Sequence, residues 1–196
     1  QPLNVHHSHR LLTLLLFQSP KANFIQLQQY SNIQDTKSIM PGHPKAEAIK
    51  AEGNGFFKAG KYEEAIAKYI AATDIDPNQP SYWSNMAACY EKVRKFEEMA
   101  NAGRSCIKAD KKFVKGYFRL AVAYKALDDL PNCIKTLENG LAIQASNPDL
   151  KRMKKEVTEL QRGEQVATYC NKAEEMMQNG DIAGAMKQLD FASRLD

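Results

Sequence analysis

The stretch "AEAIKAEGNGFFKAGKYEEAIAKYIAATDIDPNQ", residues 46–79, decides the fold. Its first half holds Gly53-Asn54-Gly55, which taken alone signals a tight turn. The flanking Ala, Lys, Glu and Ile read instead as helix. Sliding the chain against itself by 34 residues resolves the conflict, because Gly53 then meets Ala87 and Ala121, Phe56 meets Tyr90 and Tyr124, and Tyr62 meets Phe96 and Leu130. The same shift brings Ile49 onto Trp83 and Tyr117, Ala65 onto Met99 and Cys133, and Ala72 onto Cys106 and Gly140. Gly53 is thus the small residue at which a second helix packs closely on a first. Gly55 becomes an exposed helix position, tolerated at roughly 1 kcal/mol relative to Ala.

Each unit reads as a helix with a small residue, an aromatic one turn later, a turn, and a second helix whose inward positions are again small. "KAGKY" at 58–62 separates the two helices, Pro77 can end the second, and Pro80 can start the next unit. The units run 46–79, 80–113 and 114–147. One such unit cannot bury its apolar face; stacked units can, and three are about the minimum. The expected fold is therefore an all-α solenoid of helix-turn-helix repeats.

After the third unit the register breaks. "NPDLKRMKKEVTELQR" (147–162) places Leu150, Met153, Val157 and Leu160 on one face, as expected of a helix at 148–164 that caps the array. Tyr169, Ala173, Met176, Ile182, Ala185, Leu189 and Ala192 then resume the pattern about 18 residues late. We expect a fourth, truncated unit over 165–196 and a longer protein that continues with further repeats. Residues 1–44 look unlike the rest: they lack a sustained period and carry a single acid, Asp35. They are expected to be disordered. Scarce acids and a short Leu run suit a targeting peptide. The absence of an initial Met, with Met40 just ahead of "PGHP", suits upstream sequence foreign to the native chain, and this reading is preferred.

Composition excludes several classes. The longest apolar run, "LLTLLLF" at 11–17, is well short of the roughly 20 residues that span a bilayer. A net charge of +4 falls far below a dedicated nucleic-acid binder, and "KADKKFVK" (108–115) reads as a solvated connector between units. Cys89, Cys106, Cys133 and Cys170 form no CxxC pair and are expected to be small buried residues in a reducing compartment. All four histidines, His6, His7, His9 and His43, precede the repeats, so no metal site and no cofactor is expected. The chain offers no nucleophile with a base at sensible spacing and no Gly-rich phosphate loop, so the visible segment is not expected to be an enzyme.

Polar residues on the first helices carry the chemistry. Lys50 and Asn54, four apart, share a face, as do Lys115 and Arg119; Asn85 and Arg119 are 34 apart and occupy equivalent sites in successive units. Three cations and two amides, with no acid among the five, suit the holding of carboxylates: Arg donates two parallel hydrogen bonds, Lys a mobile charge, and each Asn an N–H while its oxygen accepts from a backbone N–H. Phe57, Phe118, Val122 and Ala126 are candidate apolar subsites for the rest of a peptide.

These features resemble the tetratricopeptide repeat family. The first unit is most similar to its pattern, with Gly53, Phe56, Tyr62, Ala65, Tyr69, Ala72 and Pro77; in the second, Lys111 stands in the place of the Pro. "K-x-x-x-N", "S-N-x-x-A" and "K-G-Y-x-R" resemble, residue by residue, the carboxylate clamp of tetratricopeptide co-chaperones such as the heat-shock organising protein. The resemblance implies a right-handed superhelix and a cytoplasmic adaptor. In it, Lys50, Asn54, Asn85, Lys115 and Arg119 would bind the Glu-Glu-Val-Asp tail of heat-shock protein 70 or 90. No nucleic acid, membrane or small-molecule substrate is implied. It also leaves open a targeting module for a larger enzyme, such as a prolyl isomerase, phosphatase, ubiquitin ligase or J-domain protein, and a general scaffold for another acidic segment.

Overall fold

A computed structural model describes residues 43–195. The expectations for residues 1–42 lie outside the described part. Among the described residues eight helices follow one another: α1 (Pro44–Lys58), α2 (Tyr62–Ile75), α3 (Pro80–Lys92), α4 (Phe96–Ala109), α5 (Val114–Ala126), α6 (Leu130–Ile143), α7 (Pro148–Gln178) and α8 (Ile182–Ser193). No strand occurs among the described residues. The period is strict through the third unit. The second helices begin at 62, 96 and 130, and their successors begin at 80, 114 and 148, each 34 apart.

The residues that set this period are all buried: Gly53, Ala87 and Ala121 on the first helices, and Ala65, Cys133 and the larger Met99 opposite them. At Gly53 a Cβ would lie 2.9 Å from Cε1 of Tyr69, so the missing side chain is what lets the tyrosine ring lie along α1. At Gly103 a Cβ would come within 3.0 Å of the Leu120 backbone, where no flexible atom can yield. The helices are thus held at close approach, and dispersion from dense packing adds to the burial of apolar area.

Loss of the proline in the second unit does not loosen its junction. Trp83 Nε1 donates to the Pro77 carbonyl at 2.8 Å, and one period later the Tyr117 hydroxyl donates to the Lys111 carbonyl at 3.0 Å. The acceptor is a backbone oxygen in both, so the side chain at that position is free to vary. The tight turns repeat as well: Gly60 and Gly180 sit at φ 74° and 82°, and Arg94 and Asp128 adopt the same left-handed conformation.

Each helix packs on its neighbours in sequence, and α3 with α5 and α5 with α7 also touch directly. Second helices make no comparable contact with one another. The first helices therefore line the inner side of the stack.

The fourth unit differs from expectation in one respect. No break separates a cap from a fourth repeat: α7 runs unbroken for 31 residues through the expected 164/165 boundary. Its first half buries Leu150 and Val157 against α6, and its second half pairs with α8, burying Ala173, Ala185 and Ala192. The only weak helix former at the junction is Gly163, which costs about 1 kcal/mol relative to Ala and cannot by itself end a helix. Leu160, expected on the capping face, is 46% exposed, because neither α6 nor α8 covers that point. Cys170 is only half-buried, unlike the other three cysteines; all four are free thiols.

Candidate functional site

The first helices present their polar residues to one groove, and the cause is again local. Gly53 admits Tyr69, and the ring carries its hydroxyl to the next residue of α1, donating to Asn54 Oδ1 at 2.7 Å. Burial pushes the Tyr69 phenol up to about 12, so it remains a donor across the physiological range. Asn85 Nδ2 donates to the same Asn54 oxygen at 3.2 Å. The Asn54 oxygen is thereby occupied by a phenol and an amide, not by the expected backbone N–H. Its NH2 group is left to act as a donor.

At the far end, Asn85, Lys115, Phe118 and Arg119 line an open cleft of about 600 Å³ between α3, α5 and the start of α7. Lys112, from the connector before α5, lines it too. Of the stretch 108–115, expected to be a solvated connector, only 110–113 lie between helices, residues 108–109 ending α4 and 114–115 beginning α5, and Lys112 and Lys115 both supply cations to the cleft. Lys50 and Asn54 lie outside this cleft and are joined to it through the Asn54–Asn85 hydrogen bond.

The five polar residues contain no acid, but three acids stand beside them: Asp149 lines the cleft from the start of α7, while Glu47 and Glu91 pair with two of the cations. Lys50 Nζ pairs with Glu47 and lies 5.8 Å from the centre of the Tyr82 ring; the Tyr82 hydroxyl donates to the same carboxylate at 2.8 Å. The hydrogen bond from Lys50 holds the Glu47 carboxyl below its usual range, while burial and the Glu47 carboxylate push the Tyr82 phenol up. Arg119 Nη1 pairs with Glu91 Oε2 at 2.6 Å. Lys115 is exposed and has no ion-pair partner among the described residues.

The apolar candidates divide. Phe118 faces the cleft. Phe57 is half-buried and packs edge-on against Tyr62 at 5.5 Å, in the core of the first unit. Val122 packs partly against the core between α4 and α5, and Ala126 is exposed beyond the cleft. Glu47, Tyr69, Tyr82, Glu91 and Lys112 were missed by sequence reasoning. Only Glu47, three residues before Lys50, had a local signal in the helical i,i+3 spacing.

Among the described residues no group of His, Cys, Asp or Glu is placed to hold a metal ion, and no helix is long and apolar enough to cross a membrane.

Residues 53–93 match the family model described as TPR repeat. The helical pairs form an all-α repeat solenoid similar in fold to solved tetratricopeptide repeat domains. The chain is 32% identical over 119 residues to Hsp70-Hsp90 organizing protein 2 of Arabidopsis thaliana, covering 59% of this chain and 21% of that protein. It is 35% identical over 96 residues to the mitochondrial import receptor subunit TOM70 of Homo sapiens, covering 46% and 16%. Among solved structures it is similar to the first TPR of Spaghetti (RPAP3) bound to the HSP90 peptide SRMEEVD, with a TM-score of 0.57, 29% identity, and coverage of 59% of this chain and 94% of that one. The chain spans about a fifth of the length of these curated relatives or less.

Proposed function

We propose that this tetratricopeptide array is an adaptor that binds the acidic C-terminal tail of heat-shock protein 70 or 90 chaperones, with Lys50, Asn54, Asn85, Lys115 and Arg119 as the carboxylate-holding residues. One observation carries the reading: the Asn54 and Asn85 amides are hydrogen-bonded to each other on the first helices, with cations at both ends. The likeness to a repeat domain bound to SRMEEVD supports it, since that tail offers three side-chain carboxylates and a terminal one. The module acts by binding and positioning, not by catalysis, and works in the cytosol. The likeness to an import receptor supports a second setting, in which the same groove would be held at a mitochondrial surface.

Hydrogen bonds to charged groups contribute about 1.5–3 kcal/mol each, which after the ordering cost of a flexible tail leaves an affinity of order micromolar. Arg119→Ala is expected to weaken SRMEEVD binding by at least about tenfold in a calorimetric titration. Unchanged affinity in that variant would overturn the assignment.

A further inference from the structure

Two of the three clamp cations already face a carboxylate of the chain itself. Glu47 holds Lys50 from the same helix, and Glu91, on α3, holds Arg119 on the adjoining α5. Both acids lie on first helices, on the side where a ligand's carboxylates would arrive. Neither pair is sealed: the Glu47 and Glu91 side chains are 33% and 35% exposed, so water competes for both. Lys115 alone among the three has no such partner among the described residues; Asp149, which lines the same cleft, pairs with Arg152.

Resting on the clamp reading above, we propose that Glu47 and Glu91 set the selectivity of the groove by occupying Lys50 and Arg119 until a ligand with several carboxylates displaces them. A ligand with a single carboxylate is met by Lys115. To reach either other cation it exchanges one carboxylate for another, which gains little. A tail with several carboxylates, once seated at Lys115, presents the rest at high effective concentration and wins both exchanges. The displaced acids turn to solvent, which their partial exposure allows.

Salt dependence follows from the same exchange. Screening weakens the internal pair as much as the ligand pair that replaces it, so at Lys50 and Arg119 the two effects cancel. Only the contact at Lys115 is a net new ion pair. Binding of an acidic tail is therefore less salt-sensitive than three cations would imply.

The test is a titration of SRMEEVD, and of the same peptide with a C-terminal carboxamide, into the wild type, Glu47→Gln, Glu91→Gln and the double variant at low and high salt. Thermal unfolding is followed alongside to show that each variant is folded. Each single variant is expected to bind SRMEEVD roughly two- to fivefold tighter. In the double variant the preference for the free acid over the carboxamide shrinks and the salt dependence steepens. Weaker or unchanged binding in the folded variants would mean that the acids position the cations, and the inference falls while the clamp stands. Lys115→Ala separates the two ideas: if it binds SRMEEVD as well as the wild type does, the clamp reading itself fails.

Discussion

The three strict repeats and the terminal hairpin formed by the second half of α7 with α8 use one sequence pattern and reach different burial. In the array, Leu130 and Leu137 of α6 are covered by the next first helix. Their counterparts on α8, Ile182 and Leu189, are 58% and 43% exposed. The inward alanines of the hairpin are as buried as those of the array. Pairing within a unit is thus specified by the unit's own small residues, whereas burial of its outer face depends on a neighbour.

Helix geometry explains how the pattern survives its displacement. Strict repetition would begin α8 at 164, and it begins at 182. Eighteen residues are five whole turns at 3.6 residues per turn, so the insertion rotates the helix face by nothing and moves it about 27 Å along the axis. Tyr169, Ala173 and Met176 therefore stand at the positions that Trp83, Ala87 and Tyr90 hold in the second unit, and Tyr169 meets the Phe191 ring of α8 at 5.7 Å.

The comparison can be broken or sharpened in three ways. The largest effect is expected in alkali. Cys89, Cys106 and Cys133 all lie in the array, and burial pushes their thiols up to about 12, 12 and 11 from an ordinary value of 9.0. Between pH 9 and those values the unfolded chain binds fewer protons than the native one, so stability falls as pH rises. Urea unfolding should weaken steadily above pH 9, and at neutral pH a thiol reagent should label Cys170 far faster than the other three. A flat profile from pH 8 to 11 would show that the array's cysteines are not sealed as described.

Truncation comes next. Leu137→Ala empties a fully buried site and is expected to cost about 2–5 kcal/mol, whereas Leu189→Ala should stay within about 0.5 kcal/mol. Equal losses in urea denaturation would mean that α8 is covered in solution. The smallest contrast concerns glycine. Gly103→Ala drives a Cβ into the Leu120 backbone and should cost about 1–3 kcal/mol. Gly163→Ala, with nothing within 4 Å of the new Cβ, should instead stabilise α7 by about 0.5–1 kcal/mol. A loss at Gly163 would point to a bend or contact there that the continuous helix does not show.

The expected starts at 80, 114 and 148 coincide with helix starts, since Pro80 and the 34-residue recurrence of small residues are marks left by local packing, whereas the first helix begins at 44 and not 46. The unbroken α7 was not legible, because a pattern that resumes after whole turns needs no loop, and one glycine does not make one. Of the candidate site, Lys50, Asn54, Asn85, Lys115 and Arg119 were named from their spacing together with the resemblance to the carboxylate clamp. Their partners could not be named in this way: Tyr69 is 15 residues from Asn54, and Glu91 is 28 from Arg119.

By itself the sequence determined the period, the paired helices and the face on which each polar residue stands, because these follow from the 3.6-residue turn and the need to bury small residues between helices. Only the tertiary structure decided that Tyr69 holds the Asn54 oxygen, that Glu47 and Glu91 hold two of the cations, and that Lys115 has no ion-pair partner among the described residues. Those outcomes depend on how close neighbouring helices come and which rotamers fit between them, and neither quantity repeats along the chain.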